Sequence, residues 1–379
     1  MMKEVELGNV CHFENGDRGK NYPSQSAFVE IGIPFISAKD LENNLIKHDN
    51  LNYISEETYN KLGSGKLQPN DILFCLRGSL GKFAINKDGL KGGIASSLVL
   101  LRAKEDLQIN YLKHYLNSPR MKRLITKSDN GSSQPNLSGA NVKKFPIPLP
   151  PLDQQKKIAA ILDAADAYRQ KTKALITKYD ELTQSLFLDM FGDPVANPNG
   201  WESSKLGLIV ENKDSKRKPV KSSDRENMDG DYPYYGASGI IDYVNWFTHE
   251  GDNLLIGEDG ANLLARSKPI AFIAKGQYWV NNHAHVLGCN GKALLVFIEF
   301  FINLIDLSNY VTGSAQPKLN RKNMDQIKIF CPPIELQNQF AERVKAIEAQ
   351  KAQAQDSLAG AEDLFNSLLQ RAFKGELTS

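Results

Sequence analysis

The chain contains a long internal repeat, and this feature restricts its possible folds more than any other. The segment from Gly131 reads GSSQPNLSGANVKKFPIPLPPLDQQ, and the segment from Gly313 reads GSAQPKLNRKNMDQIKIFCPPIELQ. The two match without a gap, and we call this match of Gly131 with Gly313 the repeat alignment. A repeat of this kind indicates one structural unit that occurs twice. With 379 residues, each unit has enough chain to bury its own core.

Upstream of this segment the repeat is weaker. Asp71 to Leu73 matches Asp252 to Leu254, and Leu7-Gly8 resembles Leu206-Gly207 at a different offset. Each half therefore consists of a variable block followed by a constant block.

Each constant block predicts a long helix that starts after a proline pair, Pro150-Pro151 or Pro332-Pro333. The first helix is expected to end at Gly192, because glycine favours helix termini. Apolar residues alternate at spacings of three and four, which is typical of the seam of a coiled coil. The first stripe comprises Ile158, Ile161, Ala165, Tyr168, Thr172, Leu175, Tyr179, Leu182 and Leu186; the second comprises Phe340, Val344, Ile347, Ala354, Leu358, Ala361, Phe365 and Leu368.

The variable blocks are rich in short β-type runs separated by glycine and asparagine turns, such as Ile72 to Phe74 and Ile270 to Ala274. We therefore predict an α+β protein: two mixed α/β domains and two long helices that form an antiparallel coiled coil, with a pseudo-twofold repeat. The predicted boundaries are a first domain at 1–150, a first helix at 151–192, a linker at 193–200, a second domain at 201–332 and a second helix at 333–379.

Composition narrows the functional class. The chain is 41% hydrophobic and 24% charged, as in soluble globular proteins, and its longest apolar stretch is interrupted by charged residues, so we expect a cytoplasmic protein. The four cysteines are far apart and form no C-x-x-C pair, which disfavours a zinc site or a disulfide framework. The net charge of +2 is low for a nucleic-acid-binding protein, so any such function depends on local basic patches.

Several motifs together resemble one family, the specificity subunits of type I restriction-modification systems. They are the paired PP-[LI]-[DE]-x-Q helix openings, the paired G-S-[SA]-Q-P-x-L segments, and the runs NDILFCLRGSLGKFA, IGIPFISAKDL, YPYYGASGIIDYV and LLIGEDGAN followed by WVNNHAHVL. The resemblance covers essentially the whole chain. It rests on the order, duplication and spacing of the motifs, because no single motif is very specific.

The resemblance implies a sequence-specific DNA-binding subunit without catalytic residues. Each target recognition domain would read one half of a split, asymmetric DNA target, and the helices would hold the halves at a fixed distance. Two modification (methyltransferase) subunits and restriction (endonuclease and translocase) subunits would be the partners. The resemblance implies no cofactor on this chain; S-adenosylmethionine, ATP and Mg²⁺ would bind to the partner subunits.

Candidate DNA contacts are polar and cationic residues in loops, because such side chains anchor phosphates and pair with base edges. For every candidate the alternative is an ordinary structural role, either a solvated surface residue or a packed one. In the first domain the candidates are Arg18, Lys20, Ser37, Lys39, Arg77 and Gln134. In the second they are Lys216, Arg217, Lys218, Tyr234, Tyr235, Ser238, Asn281, His283, Gln316 and Lys318.

Other functions are less well supported by the residues. His283 and His285 alternate as strand neighbours do, but no third ligand stands at a usual zinc spacing, so no metal site is predicted. GSLGKF at Gly78 lacks the spacing of a phosphate-binding P-loop. The alternatives that remain are a specificity subunit of a type IIB-like system and, from a different class, a stand-alone nuclease or a coiled-coil scaffold.

Overall fold

A computed structural model describes residues 3–129, 131, 135–313 and 315–377. These residues form two compact units. Unit 1 comprises Met1–Thr172 and Ser357–Ser379, and unit 2 comprises Lys173–Asp356. The division cuts both long helices near their middle, so each unit contains one end of each helix. It differs from the predicted boundaries, which assigned the helices to separate segments.

Unit 1 is a mixed α/β fold. Its helices are α1 (Leu7–Val10), α2 (Glu56–Lys61), α3 (Ile109–Asn117), α4 (Pro119–Ser128), α5 (Gly139–Lys143) and the first half of α6 (Leu152–Phe191), with 3₁₀ turns at Gln25–Ala27 and Ala38–Asp40. Its strands are β1 (Glu4–Glu6), β2 (Cys11–Asn15), β3 (Phe28–Val29), β4 (Ile33–Ile36), β5 (Leu41–Glu42), β6 (Leu45–Ile46), β7 (Asn52–Ile54), β8 (Ile72–Cys75), β9 (Phe83–Ile85), β10 (Gly93–Ile94), β11 (Leu98–Ala103) and β12 (Pro146–Pro148).

Two sheets form the body of unit 1. One is antiparallel, in the order β2-β11-β8-β9, and the other has the order β10-β4-β7-β3. The smaller ladders β1-β12 and β5-β6 complete the unit. Strand β8 reads ILFC and is buried on both faces, because the sheet is covered on each side by a separate apolar cluster. This burial explains its continuous hydrophobic sequence.

Unit 2 repeats this arrangement. Its strands are β13 (Ser203–Lys205), β14 (Val210–Asn212), β15 (Tyr232–Gly236), β16 (Gly239–Val244), β17 (His249–Glu250), β18 (Asn253–Gly257), β19 (Ala271–Ala274), β20 (Gln277–Val280), β21 (Ala284–Cys289) and β22 (Lys328–Phe330). Its helices are α7 (Leu206–Ile209), α8 (Ser222–Arg225), α9 (Asn262–Ala265), α10 (Leu295–Leu304), α11 (Arg321–Asp325), the second half of α6 and the first part of α12 (Ile334–Lys374), with 3₁₀ turns at Asp214–Lys216 and Ser308–Tyr310.

The sheet orders show that the repeat extends through the variable blocks. Unit 2 has the antiparallel sheet β14-β21-β18-β19, the sheet β16-β15-β20-β17 and the ladder β13-β22. The first sheet corresponds strand for strand to β2-β11-β8-β9, and the ladder corresponds to β1-β12. Sequence divergence hides this correspondence, because a buried strand tolerates many combinations of apolar residues.

The register of these strands corrects one detail of the sequence comparison. Arg77 forms a β-bridge with Asn136, and Asp259 forms one with Lys318. The repeat alignment places Arg77 on Asp259 and Asn136 on Lys318, so the two bridges are equivalent. The strands that lead into these bridges follow the same alignment, with Ile72 matched to Leu254. The predicted match of Asp71 with Asp252 was wrong by one position.

The α6 and α12 segments run antiparallel within each unit. In unit 1, Ile158 and Leu162 of α6 belong to the same apolar cluster as Leu369 and Phe373 near the end of α12. In unit 2, the rings of Phe187 near the end of α6 and Phe340 near the start of α12 have centroids 5.6 Å apart. The predicted antiparallel pairing is confirmed.

The apolar stripe predicted for α6 is only half correct. The positions Ile158, Ala165, Thr172, Tyr179 and Leu186 are buried or half-buried, but Ile161, Tyr168, Leu175 and Leu182 are exposed. Their places in the seam are taken by Leu162, Arg169, Ile176 and Thr183.

Two polar seam residues show why the pattern was misread. The guanidinium carbon of Arg169 lies 4.5 Å from the centroid of the Phe365 ring, and the Thr183 hydroxyl donates to the Tyr179 carbonyl oxygen at 2.9 Å. Both side chains are accommodated in the seam by these contacts, which a pattern based on apolar residues cannot anticipate. The stripe predicted for α12 is buried or half-buried at every position named.

Within the described residues, no helix has both the length and the apolar character needed to cross a membrane. The four cysteines are all free.

Candidate nucleic-acid interface

In unit 1 the repeated segment docks on the turn that follows strand β8. The amide of Gly78 donates to the Pro135 carbonyl at 3.0 Å, and the amide of Leu137 donates to the Leu76 carbonyl at 2.8 Å. Gly78 has φ +79°, a conformation that favours glycine. These bonds hold Arg77 at the surface, where its side chain is exposed.

Three cations line one open cavity beside this turn. The cavity has a volume of about 430 Å³, and its cationic lining residues are Arg18, Arg77 and Lys143. Uncharged polar groups of Asn15 and Asn136 also line it. Arg18 donates one hydrogen bond, from Nη2 to the carbonyl oxygen of Ser96 at 3.2 Å. The structure thus brings together the predicted residues Arg18 and Arg77 and adds Lys143, which the sequence did not single out.

The other predicted contacts of unit 1 do not line this cavity. Lys20 and Lys39 are both exposed. Ser37 is engaged locally: its hydroxyl and its amide both donate to Asp40 Oδ2 at 2.8 Å, which closes a capping box. This bond explains Ser37 as a turn residue. Gln134 lies outside the described residues.

In unit 2, Arg217 belongs to a largely buried ion-pair network. Its guanidinium lies 2.6 Å from Glu258 Oε2 and 3.4 Å from Asp214 Oδ2, and it donates to the Ala284 carbonyl at 2.9 Å. Only 16% of its side chain is exposed. The prediction of Arg217 as a free phosphate anchor was wrong, because its donors are already used within the unit.

His285 lies in the same network. Its Nδ1 is 2.7 Å from Asp214 Oδ2, and its Nε2 is 2.9 Å from the Leu319 carbonyl oxygen. Burial alone would raise the pKa of Asp214, but the hydrogen bond from His285 and the charge of Arg217 hold it below its usual value. The network therefore stabilises an ionised carboxylate inside the unit.

Lys216 and Lys218 flank Arg217 and are exposed. The backbone of Lys218 is fixed to strand β20, because its carbonyl accepts from Trp279 Nε1 at 2.6 Å and its amide donates to the Val280 carbonyl at 3.1 Å. Both side chains remain available for a phosphate. Of the basic triplet, these two are the residues that the geometry presents to solvent.

The two tyrosines of the YPYYGASG motif are packed rather than presented. Tyr234 is 1% exposed and its hydroxyl accepts from the Val220 amide at 3.0 Å, so its prediction as a DNA-facing residue was wrong. The ring of Tyr235 stacks on Phe272 with centroids 5.8 Å apart, and burial raises the pKa of its hydroxyl. Ser238 is half-exposed in the turn between β15 and β16.

Asn281 and His283 are joined by a local turn. Asn281 is 4% exposed and its Oδ1 accepts from the His283 amide at 2.8 Å, so it acts as a turn residue. The imidazole of His283 is exposed and lies 2.8 Å from Asp259 Oδ2. Among the described residues there is no group of three histidine, cysteine or acidic side chains that could hold a metal ion.

The repeated segment of unit 2 docks as it does in unit 1. The Gly260 amide donates to the Pro317 carbonyl at 3.1 Å, and the Leu319 amide donates to the Glu258 carbonyl at 2.7 Å. Lys318 is exposed but lies 3.1 Å from Glu258 Oε1. Gln316 is exposed.

Sequence reasoning missed Asn15 and Lys143 in unit 1 and Glu258 and His285 in unit 2. The repeat itself would have found two of them. In the repeat alignment, Lys143 corresponds to Asp325, and Glu258 corresponds to Leu76. A difference of charge at matched positions of a shared scaffold marks surfaces that differ between the two units.

Comparison with known proteins gives consistent results. A sequence profile described as the type I restriction modification DNA specificity domain matches residues 1–182 and 198–358. The StySPI specificity subunit of Salmonella potsdam is 21% identical across 96% of this chain and 87% of its own length, and the EcoprrI specificity subunit of Escherichia coli is 26% identical across 88% and 85%. A putative type I specificity subunit of Haemophilus influenzae is 38% identical, but the match covers only 35% of this chain and 34% of that protein.

The fold is also found in a solved structure. The crystal structure of the type I restriction-modification S subunit from M. genitalium superimposes with a TM-score of 0.61 at 16% identity, covering 98% of this chain and 96% of that chain.

Proposed function

This chain belongs to the type I restriction-modification DNA specificity family, and we propose that it reads a split, asymmetric DNA target with one half assigned to each unit. The observation that carries the proposal is the pair of matched bridges at the same scaffold position. Unit 1 presents Arg77 and Asn136 there, and unit 2 presents Asp259 and Lys318. Different side chains on a common scaffold favour the recognition of different sequences.

The proposal includes partners that supply all chemistry. Two modification subunits would bind S-adenosylmethionine and methylate DNA, and restriction subunits would use ATP and Mg²⁺ to translocate and cleave it. This chain would act without a catalytic centre or a cofactor of its own, in the cytoplasm. Helix α6 carries an exposed apolar row, formed by Ile161, Tyr168, Leu175 and Leu182. This row supports docking of a partner, because exposed apolar surface often marks an interaction site.

A domain exchange tests the assignment of half-sites. Residues 201–332 are replaced by the second recognition block of another family member, and the chimaera is expressed with the modification subunit encoded beside this chain. Mapping of methylated bases is expected to show one altered half-site and one unchanged half-site. A change in both half-sites would contradict the assignment of one half to each unit.

The purified chain alone provides the test of its non-catalytic role. We expect neither cleavage nor methyl transfer on DNA that contains the mapped target, with S-adenosylmethionine, ATP and Mg²⁺ present. Cleavage by the chain alone would favour a stand-alone nuclease. Absence of any methylation when the modification subunit is present would favour a scaffold or a type IIB-like system with other partners.

A further inference from the structure

The cationic cavity of unit 1 has a structural counterpart in unit 2, and strand register identifies it. In unit 1, Leu101 of β11 pairs with Ile72 on one side and Phe13 on the other. In unit 2, Leu287 of β21 pairs in the same way with Leu254 and Asn212. Position 13 therefore corresponds to position 212, and position 101 corresponds to position 287.

These correspondences extend to the residues that line the cavity. Counting along the strands, Asn15 corresponds to Asp214 and Val99 corresponds to His285. Arg18 corresponds to Arg217, and their contacts agree: Arg18 donates to the Ser96 carbonyl at 3.2 Å, and Arg217 lies 3.5 Å from the carbonyl of Asn282, which corresponds to Ser96.

In unit 2 the position is filled and neutralised by the protein itself. The imidazole of His285 occupies the place of the Val99 side chain and binds Asp214. The cations there each face a carboxylate: Arg217 lies 2.6 Å from Glu258, Lys318 lies 3.1 Å from Glu258, and Arg321 lies 3.6 Å from Asp325.

In unit 1 the same position is open and its charge is unbalanced. Val99 and Asn15 carry no charge, and Leu76 stands where unit 2 has Glu258. No acidic side chain of the described residues is among those that line the cavity, whereas Arg18, Arg77 and Lys143 all are. Three cations that line one open cavity repel one another unless an anion is bound between them.

We propose that this cavity of unit 1 binds one phosphate group of the DNA backbone, and that unit 2 has no equivalent phosphate site. The inference rests on the proposed DNA-binding function. Two guanidinium groups and an ammonium group provide the charge-assisted donors that phosphate oxygens accept. The two units would thus differ in how the backbone is anchored as well as in which bases are read.

The test uses the assembled complex of the full chain with its modification subunits. Binding to a duplex that carries the mapped target, and to a scrambled duplex, is measured by fluorescence anisotropy between 50 and 200 mM NaCl. The variants are Arg77→Gln, Lys143→Gln, the double variant of both, and Asn15→Asp. The last variant keeps every cation and adds the carboxylate that unit 2 has at this position. Asn60→Asp, which is exposed and lies outside the cavity lining, is the matched control.

Each cavity variant is expected to reduce the slope of log affinity against log salt by about one, on both duplexes, because one phosphate contact contributes about −0.9. The double variant is expected to reduce this slope by about one as well, and not by two, because both cations bind the same phosphate. Asn60→Asp is expected to leave the slope unchanged. Unchanged slopes in the cavity variants, or additive losses in the double variant, would overturn the single-phosphate site.

A second measurement distinguishes a DNA phosphate from free phosphate. Thermal unfolding of the full chain is followed in sodium phosphate and in sodium chloride at equal ionic strength. Stabilisation by phosphate that Asn15→Asp abolishes, with DNA slopes unchanged, would assign the cavity to a free anion and overturn the backbone assignment. Failure of the wild-type complex to prefer its target over the scrambled duplex would overturn the proposed function. If the complex still prefers its target but the slopes are unchanged, only the proposed phosphate site in the cavity would be overturned.

Discussion

Gln155 and Gln337 are matched in the repeat alignment and make two equivalent hydrogen bonds in their respective units. Each donates from Nε2 at 2.8 Å to the carbonyl of the first proline of its motif, Pro150 or Pro332. Each accepts at Oε1, at 2.9 Å, from a backbone amide at the start of a helix, Gln108 for α3 and Leu294 for α10. The glutamine of the repeated motif therefore fastens the long helix to a neighbouring helix.

Replacement of either glutamine by alanine is expected to destabilise its unit. Both side chains are 0% exposed, so the substitution leaves buried backbone groups without partners, which costs about 1–3 kcal/mol. Urea unfolding followed by circular dichroism measures the loss. Gln339→Ala on the exposed face of α12 is the control and should change stability by less than about 0.5 kcal/mol. Equal effects at positions 337 and 339 would contradict the role of the motif.

Arg217→Ala is expected to destabilise unit 2 by roughly 3 kcal/mol, because it leaves the buried carboxylates of Asp214 and Glu258 with fewer partners. Burial alone would raise the pKa of Glu258, and the hydrogen bond from Arg217 is a principal reason why it lies below its usual value. Thermal or urea unfolding reports the effect. Lys216→Ala, one residue away and exposed, is the matched control. A stable Arg217→Ala protein with weakened DNA binding would restore the original prediction of a phosphate anchor.

Lys216→Ala combined with Lys218→Ala is expected to weaken DNA binding without loss of stability. If each ammonium group neutralises one phosphate, the double variant flattens the salt dependence of binding by about two. The loss should be the same on target and scrambled duplexes, because phosphate contacts carry no sequence information. An unchanged slope would identify both lysines as ordinary surface residues.

The exposed apolar row of α6 predicts a partner contact. Tyr168 is 54% exposed and Leu182 is 50% exposed, although both belong to the apolar stripe predicted for the seam of α6. Tyr168→Ala and Leu182→Ala are each expected to weaken association with the modification subunit by roughly tenfold, a typical loss for a central apolar contact. Calorimetric titration with the purified modification subunit measures it, with exposed Lys171→Ala as the control. Undiminished affinity would place the docking surface elsewhere.

Glu299 on α10 predicts a pH dependence of stability. Burial, together with the nearby charge of Glu348, raises the pKa of its carboxyl from 4.5 to about 7. The folded state therefore binds a proton more tightly than the unfolded state, so stability falls as the pH rises from 4.5 to about 7. Glu299→Gln removes this loss and is expected to stabilise the protein by about 3 kcal/mol at pH 8 and hardly at all at pH 4.5.

Urea unfolding at both pH values checks this expectation. Exposed Glu342→Gln on α12 is the control and should show no such difference between the two pH values. A gain at pH 8 that persists at pH 4.5 would show that packing, and not ionisation, is responsible.

By itself, the sequence determined the repeated architecture of this protein. The gap-free match of the segments at Gly131 and Gly313, the proline pairs and the seam of α12 predicted two mixed domains and two antiparallel helices, and these features are observed. They are accessible from sequence because helix boundaries and apolar periodicity depend on local residue types and spacing.

Only the tertiary structure decided which polar residues face solvent. Arg18 and Arg217 occupy corresponding positions, yet Arg18 is exposed at an open cavity, whereas Arg217 is held between the nearby carboxylate of Asp214 and that of Glu258, which is distant in sequence. The sequence did not determine the seam of α6 for the same reason, because the half-buried Arg169 packs against Phe365, which is far away in sequence. A side chain's partners in space set its exposure and its charge balance, and those partners are brought together only when the chain folds.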